Sequence, residues 1–375
     1  MVISDIIGYG LSSACTNKDS KYLGYLDNSS LKNIGFVEVI TENGITGVGE
    51  TYAGVYCAEL IPPVISFFKK MLIEKEISNH EEISSIIFNI PYVGRNGLFS
   101  SIASAVNIAI LDIISKQKSI PLHELFTDSP KESVATYASN GSSTLSPSQI
   151  EEDVKSILDL GFVSYKMRVG YQDWNIDLKR VETARESLGN NKLMIDAIMG
   201  TLNKPWDTTT AFKRLTALTS FSPYWLEEPL HPTNIIGMSE LNCHFPIAGG
   251  EALSGKSEFD QYLKNNAVTF IQPDATHCGG FKQCLEVISN FKRTALHVWG
   301  SSAALLANLH IAIASEVEFI EYPMMQLMIS EELLVEPLRW NGSRLLAPTQ
   351  PGLGIKLTDE IKTKYKLVSD SNYRI

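Results

Sequence analysis

Three acids stand at the ends of apolar runs. Asp196 closes Leu193-Met194-Ile195-Asp196, Glu227 closes Tyr224-Trp225-Leu226-Glu227, and Glu251 follows Pro246-Ile247-Ala248-Gly249-Gly250. Carboxylates brought that close repel unless they share a cation. An all-oxygen donor set suits a hard ion, most simply Mg²⁺, with octahedral positions left for water and two substrate oxygens. A second set carries proton chemistry. In Tyr165-Lys166-Met167-Arg168 the alternation sends Lys166 and Arg168 to one face of a strand, where a cationic pair calls for an anion. Asp274 ends Phe270-Ile271-Gln272-Pro273-Asp274 and His297 ends Ala295-Leu296-His297. A carboxylate on one imidazole nitrogen fixes the tautomer and raises the basicity of the other, which is how a general base is built. Glu321, after Phe319-Ile320, is either a further acid of the site or a solvated strand end. Glu228, beside Glu227, is expected in a salt bridge or behind the metal ligands.

A competing pattern overlaps the third acid. Gly250-Glu251-Ala252-Leu253-Ser254-Gly255-Lys256-Ser257 matches the phosphate-loop sequence G-x-x-x-x-G-K-[ST]. Glu251 would then put a carboxylate inside a cradle of amides meant for phosphate, so a turn followed by a helix start is the preferred reading. A phosphate-loop nucleotidase stays as the remote alternative.

The elements that must position these groups follow from spacing. Eight β-rich runs end near Ala138, Lys166, Asp196, Glu227, Gly250, Asp274, His297 and Glu321, at intervals of 23 to 31 residues filled by helical segments. Such alternation implies a parallel sheet, and eight units fit a closed (β/α)8 barrel of the modified TIM type, in which active groups sit at the C-terminal strand ends. Residues 131–346 are assigned to this α/β barrel. Residues 1–130 read as an α+β capping domain, to which the tail 347–375 returns. Within the cap, Phe36 to Ile40 and Ile45 to Glu50 form a hairpin across Asn43-Gly44. Ser100 or Ser101 is placed to cap a helix whose apolar face is Ile102, Ala105, Val106, Ala109 and Ile113.

Composition narrows the partners. The 375 residues carry 32 Lys and Arg against 42 Asp and Glu, a net charge of −10. Nucleic-acid and anionic membrane surfaces demand a basic face, so neither is expected. Five cysteines without a C-x-x-C pair argue against a disulfide scaffold or zinc knuckle. The start lacks a basic, then apolar leader, and no run approaches about 18 uninterrupted apolar residues. A soluble, reduced, cytoplasmic protein is expected.

Taken in order, Lys166-x-Arg168, Asp196, Trp225-Leu226-Glu227-Glu228-Pro229, Gly249-Gly250-Glu251, Gln272-Pro273-Asp274, Gly279-Gly280, His297, Glu321-Tyr322-Pro323 and Pro351-Gly352-Leu353-Gly354 resemble the enolase superfamily in its mandelate racemase-like branch (mandelate racemase and muconate lactonizing enzyme). The resemblance implies a cap closing over the barrel mouth, Mg²⁺ on Asp196, Glu227 and Glu251, removal of the proton α to a carboxylate, and an even-numbered homo-oligomer. Two positions depart from it: Arg168 stands where a second Lys is usual, and Ile198 where an Asn is usual. Arginine keeps its proton, so Arg168 is read as a substrate clamp whose charge lowers the Lys166 pKa. Reactions led by His297 then gain, namely dehydration or cycloisomerisation of a sugar acid. A racemase or epimerase using Lys166 and His297 on opposite faces is the alternative. His297-Val298-Trp299-Gly300 is similar to a segment of sugar-lactone cycloisomerases. Specificity is expected in cap loops bearing Lys21, Tyr22, Tyr25, Tyr52 and Tyr56, with Trp299 as a wall of the pocket.

Overall fold

Along six short runs a core side chain is followed, two residues on, by a polar one: Tyr137 and Ser139, Met194 and Asp196, Trp225 and Glu227, Phe270 and Gln272, Ala295 and His297, Phe319 and Glu321. A strand sends both members of such a pair to the same face. In a closed parallel sheet the first members therefore stack as one layer and the second members as the layer above it. The computed structural model, which describes residues 1–16 and 31–368, has this arrangement.

Three antiparallel strands come first: β1 (Ile3–Thr16), β2 (Leu31–Thr41) and β3 (Thr46–Thr51). Eight barrel strands follow: β4 (Ser133–Ser139), β5 (Ser164–Arg168), β6 (Lys192–Asp196), β7 (Trp225–Glu227), β8 (Ile247–Gly249), β9 (Phe270–Ile271), β10 (Ala295–Leu296) and β11 (Phe319–Pro323). These eight pair in parallel in the order β10-β11-β4-β5-β6-β7-β8-β9, and a bridge between Ile271 and Thr294 joins the two ends. The barrel floor is a plug of Tyr137, Met194, Trp225, Ala248, Phe270, Ala295 and Phe319. The Trp225 and Phe270 rings lie 4.9 Å apart. Three strands end earlier than their expected last residues, β8 by one residue at Gly249. β9 stops at Ile271, because Pro273 has no N–H to continue the ladder, and β10 stops one residue before His297.

The Asn43-Gly44 turn joins β2 to β3, with Gly44 at φ +82°. A helix over Gly97–Lys118 lies against β3 so closely that a Cβ at Gly47 or Gly49 would meet the Ala109 or Ala105 carbonyl oxygen at 1.9 or 2.1 Å. Its expected apolar face is buried, but Ser100 and Ser101 do not cap it. The helix begins at Gly97, whose N–H donates to Ser254 Oγ at 2.5 Å. The acceptor comes from a barrel loop 157 residues away, which no local window shows. This helix is long and apolar enough to cross a membrane, and most of its residues are buried inside the protein. Strand β1 was not anticipated from the sequence. It pairs with β2 along its length and, at Cys15 and Thr16, with β12 (Gln326–Leu327) just beyond β11.

The stretch from Leu353 to Tyr365 returns to this sheet and helix. Ser12 N–H donates to the Tyr365 carbonyl (2.8 Å), and Asp112 accepts from Leu353 N (2.7 Å), Val48 N (3.0 Å) and Lys116 Nζ (2.7 Å). Next to this junction two buried histidines face each other, His123 Nδ1 and His310 Nδ1 being 2.9 Å apart. The Leu353 carbonyl can only accept, so His310 Nε2, 3.3 Å away, carries the hydrogen. His310 Nδ1 then accepts from the His123 backbone N–H and ring. Burial holds both neutral, with pKa values down to about 4 for His123 and about 3 for His310, where His123 adds to the effect.

Both pKa values are depressed, so the unfolded chain takes up protons that the folded chain refuses. Stability is full above about pH 6.5 and is lost as pH falls, by about 1.4 kcal/mol per unit for each histidine. Denaturant melts from about pH 6.5 to 4.5 should show a shallower slope for a His123→Gln, His310→Gln double variant. Equal slopes would refute the assignment.

Candidate active site

Above the aromatic plug the polar layer is crowded. Lys166 Nζ, fully buried on β5, lies 2.6 Å from Glu227 Oε1, 3.0 Å from Glu321 Oε1 and 3.6 Å from Asp196 Oδ2. The second oxygen of Glu227 accepts from Trp225 Nε1 (3.0 Å) and Gln272 Nε2 (2.8 Å), which fixes the carboxylate plane. Asp196 Oδ1 accepts from Ile198 N–H at 2.8 Å. His297 Nδ1 lies 2.9 Å from Asp274 Oδ2, and its Nε2 lies 3.4 Å from Glu251 Oε2. Asp274 Oδ1 is held by Thr276 N–H and Oγ1 and by Asn308 Nδ2, at 2.7 to 2.9 Å. Glu321 Oε2 accepts from Val298 N–H.

The electrostatics follow from burial and neighbours. Burial works to raise Asp274, but hydrogen bonds from His297 and Asn308 hold it below the usual range. Burial works to lower His297, yet Glu251 and Asp274 together lift it to about 10. Against burial, Lys166 and His297 hold Glu321 down to about 2. The expectation that Arg168 depresses Lys166 is overturned. Burial does lower Lys166, but the charges of Glu227, Glu321 and Asp196 outweigh it and hold the ammonium well above its ordinary value. Arg168 instead donates to the Asn140 carbonyl (2.9 Å) and toward Ser139 Oγ (3.4 Å) at the rim. Of the two expectations for Glu228, the salt bridge is not found among the described residues, which leaves the place behind the metal ligands; its buried Oε1 has no hydrogen-bond partner.

Among the described residues no three His, Cys, Asp or Glu side chains are gathered closely enough to hold a metal in this arrangement. The Lys166 ammonium stands between Asp196 and Glu227, and Glu251 turns to His297. The donor chemistry nevertheless fits a divalent cation. Six carboxylates (Asp196, Glu227, Glu228, Glu251, Asp274 and Glu321) share Lys166, Arg168 and His297 as counter-charges. Burial raises Asp196, Glu227 (to about 6) and Glu251 although Lys166 or His297 pulls each of them back, and burial together with Glu251, Asp196 and Glu227 raises Glu228 most of all. Buried acids in one layer, all with hard oxygen donors, suit Mg²⁺.

The cap adds Tyr52, whose ring meets His297 and His277 edge-on at 5.5 and 5.4 Å and whose hydroxyl lies 3.2 Å from Tyr56. Tyr22, with Lys21 and Tyr25, lies outside the described residues. Trp299 sits beneath Lys32 of β2, whose Nζ is 3.6 Å from the ring centroid. Glu50, buried on β3, accepts from Ser301 N–H (2.9 Å), Ser301 Oγ (2.5 Å) and Ala304 N–H (3.0 Å), so a cap carboxylate holds the loop that carries His297. A Cβ at Gly300 would meet Glu50 Oε1 at 2.3 Å. Lys32, Glu50, Gln272 and Asn308 were not picked out from sequence. Only Gln272 had a local signal, two residues beyond the plug residue Phe270. The phosphate-loop pattern does not form a cradle: Lys256 is on the surface, 2.8 Å from Glu286 and 3.2 Å from Asp260.

The family model described as enolase C-terminal domain-like matches residues 149–361, and that of the mandelate racemase/muconate lactonizing enzyme N-terminal domain matches residues 28–127. L-Talarate/galactarate dehydratase of Salmonella typhimurium is 27% identical over 347 residues, 90% of this chain and 83% of its own. D-Galactarolactone cycloisomerase of Agrobacterium fabrum is 25% identical over 351 residues, 88% of this chain and 90% of its own. The crystal structure of a racemase from Streptomyces coelicolor with bound magnesium superposes with a TM-score of 0.84 at 24% identity, over 98% of this chain and all of that one.

Two outcomes follow. Mg²⁺ should stabilise metal-stripped protein, by about 2.7 kcal/mol at a hundred times its Kd, and thermal melts should show no such gain for a Glu227→Gln, Glu251→Gln double variant. An equal gain in both would place the ion elsewhere. Ile198 is a β-branched residue at φ +47°. Ile198→Asn, better suited to that left-handed backbone, should raise stability by about 1 kcal/mol in denaturant melts.

Proposed function

The chain belongs to the enolase superfamily, in its mandelate racemase/muconate lactonizing enzyme branch, and on that premise we propose that it removes the proton α to the carboxylate of a sugar acid, as a Mg²⁺-dependent dehydratase or cycloisomerase. Its class, with dehydratases and cycloisomerases among its relatives, is lyase or isomerase. The observation that carries the finer reading is the His297–Asp274 pair at 2.9 Å, with the far oxygen of Asp274 held by three donors.

Asp274 accepts the Nδ1 hydrogen, so Nε2 is the nitrogen that exchanges protons with substrate. Nε2 faces the carboxylate half of the mouth, where the substrate carboxylate would lie. Held by Asp196, Glu227 and Glu251, Mg²⁺ would neutralise charge building on that carboxylate as the α-proton leaves. Glu251, whose charge keeps His297 protonated here, would be engaged by the cation; the imidazole relieved of that charge takes the proton, and in dehydration the resulting imidazolium can return it to the departing β-oxygen. In cycloisomerisation the β-oxygen stays tethered in the product. Lys166, held as an ammonium by Glu227 and Glu321, supports an electrostatic or acid role on the opposite side. Racemisation needs a competent base on each face, and Arg168, which keeps its proton where a second lysine is usual, weighs toward the lyase or cycloisomerase reading. Arg168, permanently charged at the rim, is suited to hold a substrate anion.

Purified protein with Mg²⁺ in D2O, screened by proton NMR against aldonic and aldaric acids and their lactones, should remove the α-proton signal. A new keto-acid methylene would identify dehydration, and ring formation or opening without loss of water would identify cycloisomerisation. His297→Asn and Asp274→Asn should each slow the reaction by about 10² to 10⁴-fold. Turnover unchanged by chelation, or indifferent to His297→Asn, would overturn the reading.

A further inference from the structure

Beyond Asp274 the chain turns at the barrel mouth, and this turn carries a second imidazole that the proton chemistry leaves unused. His277 N–H and Cys278 N–H both donate to the Asp274 carbonyl, at 3.0 and 2.8 Å, and Gly279 N–H donates to Ser104 Oγ of the long cap helix at 3.1 Å. Tyr52 N–H, also of the cap, donates to the Thr276 carbonyl at 3.2 Å. The turn is therefore fixed from both domains. Its side chain reaches the reactive end of β10 through one ring. Tyr52 meets both imidazoles edge-on, its centroid 5.4 Å from that of His277 and 5.5 Å from that of His297. A sugar acid that reacts at His297 has to extend past only that ring to reach His277.

The tautomer of His277 follows from its partner. Nε2 lies 3.3 Å from the Ala252 carbonyl in the loop after β8, and a carbonyl can only accept, so Nε2 carries the hydrogen. Burial takes the His277 pKa below its ordinary value, which keeps the ring neutral. Nδ1 is then a bare acceptor. It is shut off from solvent, and among the described residues no donor reaches it. An acceptor buried without a donor is destabilising, and a hydroxyl brought in by a ligand satisfies it. Because the turn already holds the ring in place, that bond forms without rearranging the backbone.

We propose that His277 Nδ1 accepts a hydrogen bond from one hydroxyl of the bound substrate, so that His277 is a specificity-determining residue that selects a polyhydroxy acid over an analogue lacking that hydroxyl. The proposal rests on the sugar-acid reading above and deepens it, since the donor it calls for is a hydroxyl carried on the Tyr52 side of the reacting carbon. A site built to pair with a hydroxyl rejects the analogue without it more strongly than an apolar wall rejects a change of size. A wholly structural His277, packed on Tyr52 and tied to the Ala252 loop, would be blind to any one hydroxyl.

The test is calorimetric titration of the full chain in Mg²⁺ with aldonic and aldaric acids, gluconate, galactonate and galactarate among them, each beside its monodeoxy analogues. In the wild type, loss of one particular hydroxyl should weaken binding about tenfold or more. His277→Phe keeps a ring against Tyr52 without an acceptor, whereas His277→Asn keeps an acceptor near the place of Nδ1 without the ring. The ratio for that hydroxyl should fall toward one in His277→Phe and persist in His277→Asn, while the ratios for the other hydroxyls stay as they are. A structural role predicts the opposite ranking of the two variants. Ratios unmoved by His277→Phe overturn the proposal, as does the absence of any hydroxyl-dependent binding in the wild type, which needs no variant to fold. If no acid of the series binds, the sugar-acid reading falls with it. The companion measurement is α-proton exchange in D2O on the same acids. A His277-dependent ratio without exchange would leave the subsite standing and remove the proposed chemistry. Exchange with every ratio indifferent to His277 would do the reverse.

Discussion

Several carboxylates cannot be buried side by side without positive charge among them, and this constraint organises the molecule from the barrel floor upward. Asp196, Glu227 and Glu321 are drawn from three strands and Glu228 and Glu251 from the segments that follow β7 and β8, and what keeps them tolerable is the ammonium of Lys166, the imidazole of His297 and a donor set aimed at particular oxygens. Each support is itself fixed by packing. Trp225 and Gln272 hold one face of Glu227, and both belong to strands locked by the aromatic plug. The plug serves chemistry as much as stability. It excludes water from below, so that charges in the layer above act on one another through a medium less polarisable than solvent.

Much of this was legible in the chain because a strand has a period of two. Trp225 before Glu227, Met194 before Asp196 and Phe319 before Glu321 already announce a layer of core beneath a layer of acids, and the spacing of the runs announces a barrel. What local patterning could not reveal depended on partners far away in sequence. The Lys166 pKa was misjudged because Arg168 is its neighbour in the chain, whereas Glu227 and Glu321 are its neighbours in space. The start of the long cap helix was misplaced because its acceptor, Ser254, belongs to the barrel. Gln272 and Asn308 escaped notice because neither titrates, so neither stands out in a search for acids and bases, yet each holds one oxygen of a carboxylate that matters.

Division of labour between the two sheets is sharper than the sequence implied. The barrel supplies the acids, the imidazole and its carboxylate partner. The antiparallel sheet supplies Tyr52 at the edge of His297, Lys32 over Trp299 and Glu50 beneath the following loop. None of these three cap side chains is remote from the proton-transfer residue: Tyr52 meets its ring, and the other two hold the residues two to seven positions after it. Among the described residues the cap therefore meets the reactive end of β10, as well as the loops after β8 and β9.

The contact between Glu50 and the start of the helix over Ser302–Ala314 has a consequence for how such an enzyme can change. Amides at a helix start need acceptors, and this one obtains them from a residue about 250 positions earlier in the chain. A loop of that length has to close before the segment bearing His297 reaches its final shape, so the barrel cannot mature as an independent unit. It also means that the cap cannot be exchanged as a neutral module. A lineage that swapped its cap to accept a new substrate would alter, in the same event, the restraint on its proton-transfer group, and selectivity and rate would have to be re-tuned together.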